Sequence, residues 1–355
     1  MLSTAFFAGP AAADAPPGPR IATVALTEAH AKAPRGGPKL RMSLLSVDPA
    51  EGRQLPLFSG DLETTNGITP IPLGVAAAWS SDGSLIAFTA YGKGKSEHGQ
   101  IYVIGADGRG TRPLPGTRDG TDPVLSPDGH TLAFARSRLH VHIPDAGPSS
   151  VYMSTTTWVI DLAGGEPRRL TRWRNGLSNT PGSFTVDGSG LLVTEEDERR
   201  VGERIVQLAL AGGPPREVLR EASHPSLSPD GTRLAFISNV DRDSVEGDGS
   251  RERGPSEIYV ASADGSGAKR ITYTDDVAES SPSWDPSGQR LAYVRTSLGS
   301  IFTAIQALRF PVGNSLMQVN TDGSCPQRIL SKPNAFLLGS TWQPGPGREA
   351  GPIAC

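Results

Sequence analysis

Short apolar runs alternate with turn residues along almost the whole chain, and this alternation repeats. Five times, a turn that ends in glycine has one apolar run before it and another after it, as in HPSLSPDGTRLAFIS. Runs of this length between Gly, Pro and Asp residues are typical of β-strands. The pattern therefore predicts five hairpins with matching turns at Asp82-Gly83, Asp128-Gly129, Asp187-Gly188, Asp230-Gly231 and Ser287-Gly288.

Each predicted hairpin is followed by a stretch of variable length and then by a second pair of strands. In SEIYVASADGSGAKRIT, residues 256–272, a third apolar run, a Gly-containing turn and a fourth run follow one another. The unit repeats at roughly 45 to 60 residues, and four short antiparallel strands at this period are the signature of a propeller blade. The high content of 42 Gly and 31 Pro fits many short strands better than long helices.

The two ends of the chain supply one further blade. LLGSTWQPG, residues 337–345, matches a first strand, while RIATVALT and LRMSLLSVDPAEGRQLPL near the N-terminus match a second strand and the third and fourth. Sharing a blade between the ends closes the ring and removes exposed sheet edges. We therefore expect an all-β, six-bladed propeller of four-stranded antiparallel blades over residues 21–345. Residues 346–355 form a C-terminal tail, and Phe58 to Leu73 is expected to be a linking loop.

The repeat itself resembles that of a known family. LSPDGTRLAF (Leu227–Phe236) and IYVASADGSGAKRIT (Ile258–Thr272) are similar to the TolB-type propeller repeat, and the resemblance runs from about Ile21 to Gly345. It departs in the third complete repeat, where Val186 replaces the turn proline. The resemblance implies the six-bladed fold. TolB proteins also carry a separate N-terminal α/β domain, which we do not expect here, so a role in the Tol-Pal system is not implied.

The charge and the N-terminal segment restrict the setting of the protein. A net charge of -3, without a basic stripe, argues against a nucleic-acid partner. No apolar run is long enough for a transmembrane helix. Leu2 to Ala8 and the small residues Ala11 to Ala13 resemble the second half of a secretory signal without its basic start. Residues 1–20 are thus either a signal whose true start lies upstream of Met1 or a disordered tail, and we interpret the protein as exported, periplasmic or secreted.

Length variation in the repeats indicates which face carries function. In a propeller, the Asp-Gly and Gly turns share one face, whereas the connections after the second strands and the links between blades share the other. Almost all insertions, such as NVDRDSVEGDGSRERGPS, fall in the second set. Insertions on one face of a repeat fold usually mark its binding face. We call this face the loop-rich face.

The links between blades place an aromatic and charged group on this face. An aromatic side chain flanked by arginines is a plausible interface anchor. Ordinary packing at a blade edge explains the same residues equally well, and both interpretations stay open. The binding-face candidates are Arg172, Trp173, Arg174, Tyr273, Asp275 and Asp276.

Three histidines could hold a metal ion. His140 and His142 alternate, so they point the same way in an extended segment, and His98 lies on the neighbouring blade's connection. His-x-His with a third ligand can hold Zn or Mn. The alternative is that all three are polar surface residues.

The two cysteines also have a predicted relationship. Cys325 follows the Gly turn of the fifth repeat, and Cys355 ends the tail that leaves the same face. A bond between them would hold the last strand in place and would suit an exported protein. Free thiols are the alternative.

Catalytic signatures are missing from the sequence. It has no G-x-S-x-G elbow, no P-loop and no G-x-G-x-x-G that opens a helix. The reading favoured by the sequence is a monomeric, non-catalytic platform without a cofactor, which binds a protein or cell-envelope partner through its loop-rich face. One alternative is a metal-dependent lyase or hydrolase acting on polysaccharide through His98, His140 and His142. Another is an accessory module for a separate peptidase or transporter.

Overall fold

The structure is a computed structural model, and it describes thirteen stretches of the chain. Within them the chain forms β-strands, turns and short connections and has no α-helix, which confirms the all-β prediction. No helix in this part of the chain is long and apolar enough to span a membrane. The described residues are 18–28, 40–62, 77–91, 99–142, 150–197, 202–240, 243–245, 251–253, 255–274, 277–297, 314–332, 335–345 and 351–355.

Four sheets are four-stranded antiparallel meanders, as the repeat predicts. Sheet A contains β1 (Ile21–Glu28), β2 (Leu40–Val47), β3 (Gln54–Leu62) and β26 (Ala335–Trp342). Sheet B contains β4 (Ala77–Trp79), β5 (Leu85–Tyr91), β6 (Gly99–Gly105) and β7 (Arg112–Arg118). Sheet D contains β16 (Ser223–Leu227), β17 (Arg233–Ser238), β20 (Glu257–Ser262) and β21 (Lys269–Arg270). Sheet E contains β22 (Val277–Trp284), β23 (Arg290–Ser297), β24 (Ser315–Asn320) and β25 (Gln327–Ser331).

The remaining strands form one larger sheet and one small hairpin. Sheet C has eight strands, β8 to β15, and strands β18 and β19 pair only with each other. The strands of sheet C are β8 (Gly120–Leu125), β9 (Thr131–His142), β10 (Ser150–Asp161), β11 (Arg168–Arg169), β12 (Leu177–Phe184), β13 (Gly190–Asp197), β14 (Glu203–Ala209) and β15 (Arg216–Arg220). The small hairpin is made of β18 (Asp243–Val245) and β19 (Arg251–Arg253).

Sheet C corrects the prediction of six separate blades. It consists of two antiparallel meanders, β8–β11 and β12–β15, which one parallel pair, Thr155 with Ser178, joins into a single sheet. The cause is local, because side chains of β10 hold the chain that enters β12. The Ser154 hydroxyl donates to Arg174 O and accepts from Gly176 N, and the Thr157 hydroxyl donates to Asn179 O. The described sheets are therefore a ring-like series of small antiparallel sheets in which two meanders are fused.

Sheet A combines strands from both ends of the chain. Strand β26 pairs with β1 along its length, and β1 pairs with β2. The expected linking loop from Phe58 to Leu73 is wrong in its first part, because residues up to Leu62 belong to β3. Phe58 is buried with its ring 5.0 Å from that of Phe88, and this packing extends the strand.

Successive sheets pack face to face, and each interface has its own apolar cluster. Leu44, Phe58 and Phe88 lie between sheets A and B. Ile258, Trp284 and other residues fill the space between sheets D and E. Because sheets A to E are each covered on both faces, they bury apolar side chains against their neighbours, and this burial is the main source of stability for the series.

The Asp-Gly pairs serve the turns, as predicted. The Ser228 hydroxyl donates to the Asp230 carboxylate at 2.6 Å, and the corresponding Thr185–Asp187 bond has the same length. Bonds from Thr185 and Ser189 lower the pKa of Asp187 to about 2. In sheet E the aspartate comes before the turn and the serine within it, which is the reverse of the other turns. The hydroxyl of Ser287 therefore donates to the buried carboxylate of Asp285.

Candidate functional site

The links between sheets and the starts of the third strands lie side by side and form the loop-rich face. The backbone N of Thr274, in the link from sheet D to sheet E, donates to the carboxylate of Glu257 at 2.7 Å. Glu257 is the first residue of β20, the third strand of sheet D. In sheet C the Ser154 hydroxyl of β10 similarly donates to Arg174 O in the link at 3.0 Å. The same face is therefore assembled by repeated contacts between links and strands.

Arg172, Trp173 and Arg174 occupy the link between the two halves of sheet C. Trp173 is half-buried, and the Arg138 guanidinium lies 4.2 Å from the centroid of its ring. Arg172 and Arg174 are exposed. Backbone bonds fix the link, since Arg174 O accepts from the Ser154 hydroxyl and from Leu177 N, each at 3.0 Å. The link thus presents two exposed guanidinium groups beside a stacked Arg–Trp pair on a fixed backbone.

A second Arg–Trp stack lies next to the first. The Arg136 guanidinium is 4.4 Å from the Trp158 ring centroid, and that of exposed Arg169 is 5.8 Å away. Arg136 also donates to the backbone oxygens of Gly116 and Arg118, and burial lowers its pKa. Together we call these residues the arginine–tryptophan surface: Arg136, Arg138, Trp158, Arg169, Arg172, Trp173 and Arg174.

Tyr273 lies elsewhere on the loop-rich face. It is 74% exposed in the link from sheet D to sheet E, and the Arg270 guanidinium is 4.6 Å from its ring centroid. Within the described part of the chain, no contact joins it to Arg172, Trp173 or Arg174, because the second half of sheet C and sheet D separate the two links. Asp275 and Asp276, the other two candidates, lie outside the described residues.

Beneath Tyr273 lies a buried cluster of charges that the sequence did not reveal. Glu279 and Glu257 are almost completely buried, at 0% and 1% exposure. The Arg295 guanidinium lies 2.8 Å from the Glu279 carboxylate, and that of Arg270 lies 2.9 Å from the Glu257 carboxylate. Each glutamate therefore has its own arginine at the interface between sheets D and E.

Burial controls the titration of this cluster. Removal of the carboxylate from water raises the pKa of Glu279, although bonds from Thr272 and Arg295 act in the opposite direction. The pKa of Tyr293, whose hydroxyl is 3.2 Å from Arg295, is also raised by burial. The only sequence signal is that one glutamate lies near the start of a third strand and the other near the start of a first strand. This signal can be interpreted only once the pairing of the strands is known.

The first strands carry a second feature that sequence analysis missed. Asp122, His224 and Ser281 adopt left-handed φ values of 51°, 54° and 52°, each at a β-bulge three residues before the last residue of its strand. Each is followed by proline. Desolvation raises the pKa of Asp122 to about 6, and it lowers the pKa of His224. Left-handed non-glycine residues are uncommon, so their recurrence at one position shows that the bulge is a repeated structural element of these strands and not an irregularity of one of them.

The predicted metal ligands are not tested by the geometry. His140 and His142 belong to β9, opposite Tyr152 and Ser150 of β10. Their side chains and the whole of His98 lie outside the described residues. Within the described part of the chain, His, Cys, Asp and Glu residues form no group of three able to hold a metal ion. The histidine site stays a prediction.

The cysteines lie on the opposite face, at the Gly turn between β24 and β25. A disulfide joins Cys325 to Cys355, and their Cα atoms are 5.2 Å apart. The residues before Cys355 are held by the same turn, because Asn320 forms hydrogen bonds with the backbone of Ile353. The C-terminal segment is thus attached to sheet E at two points.

Comparison with solved structures identifies the fold. TolB from Acinetobacter baumannii is 19% identical with a TM-score of 0.61, and the match covers 92% of this chain and 67% of that one. A putative TolB from Agrobacterium tumefaciens is 15% identical with a TM-score of 0.56, covering 92% and 99%. A nidogen/laminin complex is 13% identical with a TM-score of 0.53, covering 92% and 98%.

Comparison of sequences gives no match among protein-family models and none among curated proteins. At identities this low, the similar structures show the fold alone. The chain therefore has a TolB-like β-propeller fold.

Proposed function

We propose that the protein is a six-bladed propeller that acts as a non-catalytic binding platform through its loop-rich face. The blade count treats each half of sheet C as one blade, since a single parallel pair joins them. Contacts between first strands support a closed ring. β26 packs against both β22 and β4: the Ser340 hydroxyl donates to Ser281 O at 2.9 Å, and Trp79 Nε1 donates to Thr341 O at 3.2 Å.

The arginine–tryptophan surface is the observation that carries the binding function. Arginine and tryptophan are the residues most enriched among the dominant contacts of protein interfaces. Here they are exposed or half-buried on a backbone that hydrogen bonds already fix, so little conformational freedom is lost on binding. One of the similar structures is a nidogen/laminin complex, so a chain of similar fold occurs in a protein assembly. The partner we propose is a protein or another component of the cell envelope.

Export is the second part of the proposal. The signal-like segment at residues 1–20 and the Cys325–Cys355 disulfide both suit an oxidising compartment outside the cytoplasm. The propeller would then comprise residues 21–345, and residues 346–355 would form the tail that the disulfide attaches.

Site-specific photo-crosslinking in the producing cells tests the platform. A photoreactive amino acid at position 172 should give a discrete adduct, whereas one at position 109 on the opposite face should not. Arg109 is exposed in a Gly turn, which makes it the matched control. Adducts from neither position, or equally from both, would refute binding through the loop-rich face. Metal-dependent cleavage of polysaccharide that is lost in a His140→Ala/His142→Ala variant would show that the protein is an enzyme and would refute the non-catalytic platform.

A further inference from the structure

Sheets C and E each have an arginine at the same position of the second strand, but the two arginines have different partners. In sheet E, Arg295 of β23 lies opposite Glu279 of β22, and their side chains form an ion pair at 2.8 Å. In sheet C, Arg136 of β9 lies opposite Gly120 of β8 in the corresponding register. Glycine thus occupies the place of the glutamate. Arg136 instead donates to backbone oxygens of the preceding sheet.

The arginines of the fourth strands show the same difference, in that one has a glutamate partner and the other, among the described residues, does not. Arg270 lies opposite Tyr259, and it reaches Glu257 two residues earlier on that strand. Arg169 lies opposite Trp158 in the same way, but the residue two positions before Trp158 is Thr156. Each arginine of the buried cluster therefore has a counterpart at the same register in the first half of sheet C, and in both cases an uncharged residue occupies the position of its carboxylate partner.

Three further arginines add to this unbalanced charge. Arg138, Arg172 and Arg174 are exposed around Trp173. Within the described part of the chain, none of the arginines in the arginine–tryptophan surface takes part in a salt bridge, and Asp119 is the acidic residue whose charge acts on Arg136. The surface thus carries five arginines, although the whole chain has a net charge of -3.

We propose that the arginine–tryptophan surface binds an acidic peptide segment, whose carboxylates pair with the exposed guanidinium groups of Arg138, Arg172 and Arg174. This inference rests on the proposed platform function and specifies its partner. Guanidinium groups match carboxylates through paired, charge-assisted hydrogen bonds. Stacking on Trp158 and Trp173 fixes two of them before the partner arrives, which lowers the entropic cost of binding.

The stacking also distinguishes a peptide from other polyanions. Sugar rings and nucleic-acid bases bind to proteins by stacking on open aromatic faces. Here Arg136 and Arg138 cover one face of each indole at 4.4 and 4.2 Å. The exposed groups on this surface include the guanidiniums of Arg138, Arg172 and Arg174, and guanidiniums recognise carboxylates along a flexible segment.

Fluorescence anisotropy with a labelled peptide of alternating glutamate and serine tests the inference on the full chain. We expect binding that weakens with salt, and no binding of a matched lysine–serine peptide. Arg138→Glu and Arg172→Glu should each weaken binding about tenfold or more, which corresponds to about 1.4 kcal/mol. Arg109→Glu makes the same charge change on the opposite face and should bind normally. Because all three side chains are exposed, each variant should keep a cooperative thermal unfolding transition.

Equal binding by wild type, Arg138→Glu and Arg172→Glu would overturn the inference. Binding of polygalacturonate or single-stranded DNA that depends on Arg138, without binding of the acidic peptide, would also overturn it and assign the surface to another polyanion. If the acidic peptide does not bind but the photo-crosslink at position 172 forms, the acidic partner is refuted and the platform stands. Arg138→Lys keeps the charge but lacks the paired donors, so it should bind with intermediate affinity.

Discussion

Asn320 holds the backbone of Ile353 with both polar atoms of its side chain. Its Nδ2 donates to Ile353 O at 3.0 Å, and its Oδ1 accepts from Ile353 N at 2.7 Å. A neighbouring β-strand would make the same two hydrogen bonds to this residue, and here a single side-chain amide makes both. Two residues further on, Cys355 is joined to Cys325, which follows the same Gly turn. A covalent bond and a side-chain clamp therefore attach the same short segment.

Replacing Cys355 with serine should lower the free energy of unfolding by about 3 to 4 kcal/mol, because the disulfide closes a loop between cysteines 30 residues apart. Urea unfolding measures the loss, and peptide mapping without reductant should recover the linked Cys325 and Cys355 peptides. Asn320→Ala should cost about 1 kcal/mol, since it removes hydrogen bonds but leaves the covalent bond. Two free thiols in protein purified without reductant would contradict this prediction.

The local parts of the fold could be predicted because local chemistry determines them. Asp230 accepts bonds within its own turn, and Gly231 takes a φ of 69°, which glycine adopts without strain. These residues act over four or five positions, so their spacing alone locates the hairpins. The partnership of the two chain ends in sheet A also follows, because an incomplete unit at one end matches the missing part at the other.

The charged cluster and the fused sheet depend on contacts that no local pattern encodes. Glu279 and Arg295 are 16 residues apart and meet only because β22 pairs with β23. The joining of the two halves of sheet C depends on the Ser154 hydroxyl, which bonds with Arg174 O. Tyr273 shares a face with Arg172, but their distance around that face follows from the order of the sheets and not from their similar places in the repeat.

Removing Arg295 should destabilise the protein more than removing the whole ion pair. Arg295→Met leaves the carboxylate of Glu279 buried without its guanidinium, and such a loss costs about 3 to 5 kcal/mol. In the double variant Arg295→Met/Glu279→Gln the uncompensated charge is gone, so much of the stability should return. Urea unfolding of the wild type, both single variants and the double variant measures the coupling. Additive losses in the double variant would show that the two side chains do not act as a pair.

Asp122 should make the protein less stable as the pH rises. Desolvation raises its pKa from 3.8 to about 6, so the folded state binds this proton more tightly than the unfolded chain does. The stabilising contribution is fully present below pH 3.8 and is lost as the pH rises through about 6. Asp122→Asn removes the charge and tolerates the left-handed φ of 51°. The variant should be about 1 to 2 kcal/mol more stable than the wild type near neutral pH, since Asp122 is partly solvated.

Urea unfolding at acidic and neutral pH checks this difference, and Asp230→Asn is a control of opposite sign. Bonds from Ser228 and Thr232 lower the pKa of Asp230, so its contribution is present above pH 3.8 and is lost as the pH falls. Asp230→Asn should therefore be less stable than the wild type at neutral pH. Identical pH profiles for wild type and Asp122→Asn would exclude a raised pKa at this position.

Three tryptophans occupy the same position in the first strands of three sheets, but they differ in the hydrogen bond of the indole nitrogen. Trp79, Trp284 and Trp342 are all buried, and each is the last residue of its strand. Trp284 Nε1 donates to Ser226 O at 2.8 Å, and Trp79 Nε1 donates to Thr341 O at 3.2 Å. Among the described residues, Trp342 Nε1 has no hydrogen-bond partner although it is buried. A phenylalanine, Phe184, fills the corresponding place in β12, so the position accepts a smaller ring.

Trp284→Phe should therefore destabilise the protein about 1 kcal/mol more than Trp342→Phe does. Both changes remove the same atoms, and both rings carry a stacked arginine, Arg233 at 4.6 Å and Arg290 at 5.0 Å, so these contributions largely cancel. What remains is the hydrogen bond of Trp284, whose loss leaves Ser226 O without this donor, whereas Trp342→Phe removes a buried donor that has no partner. Trp79→Phe should resemble Trp284→Phe. Urea unfolding of the three variants measures the order, and a larger loss for Trp342→Phe would mean that its indole nitrogen is hydrogen-bonded in solution.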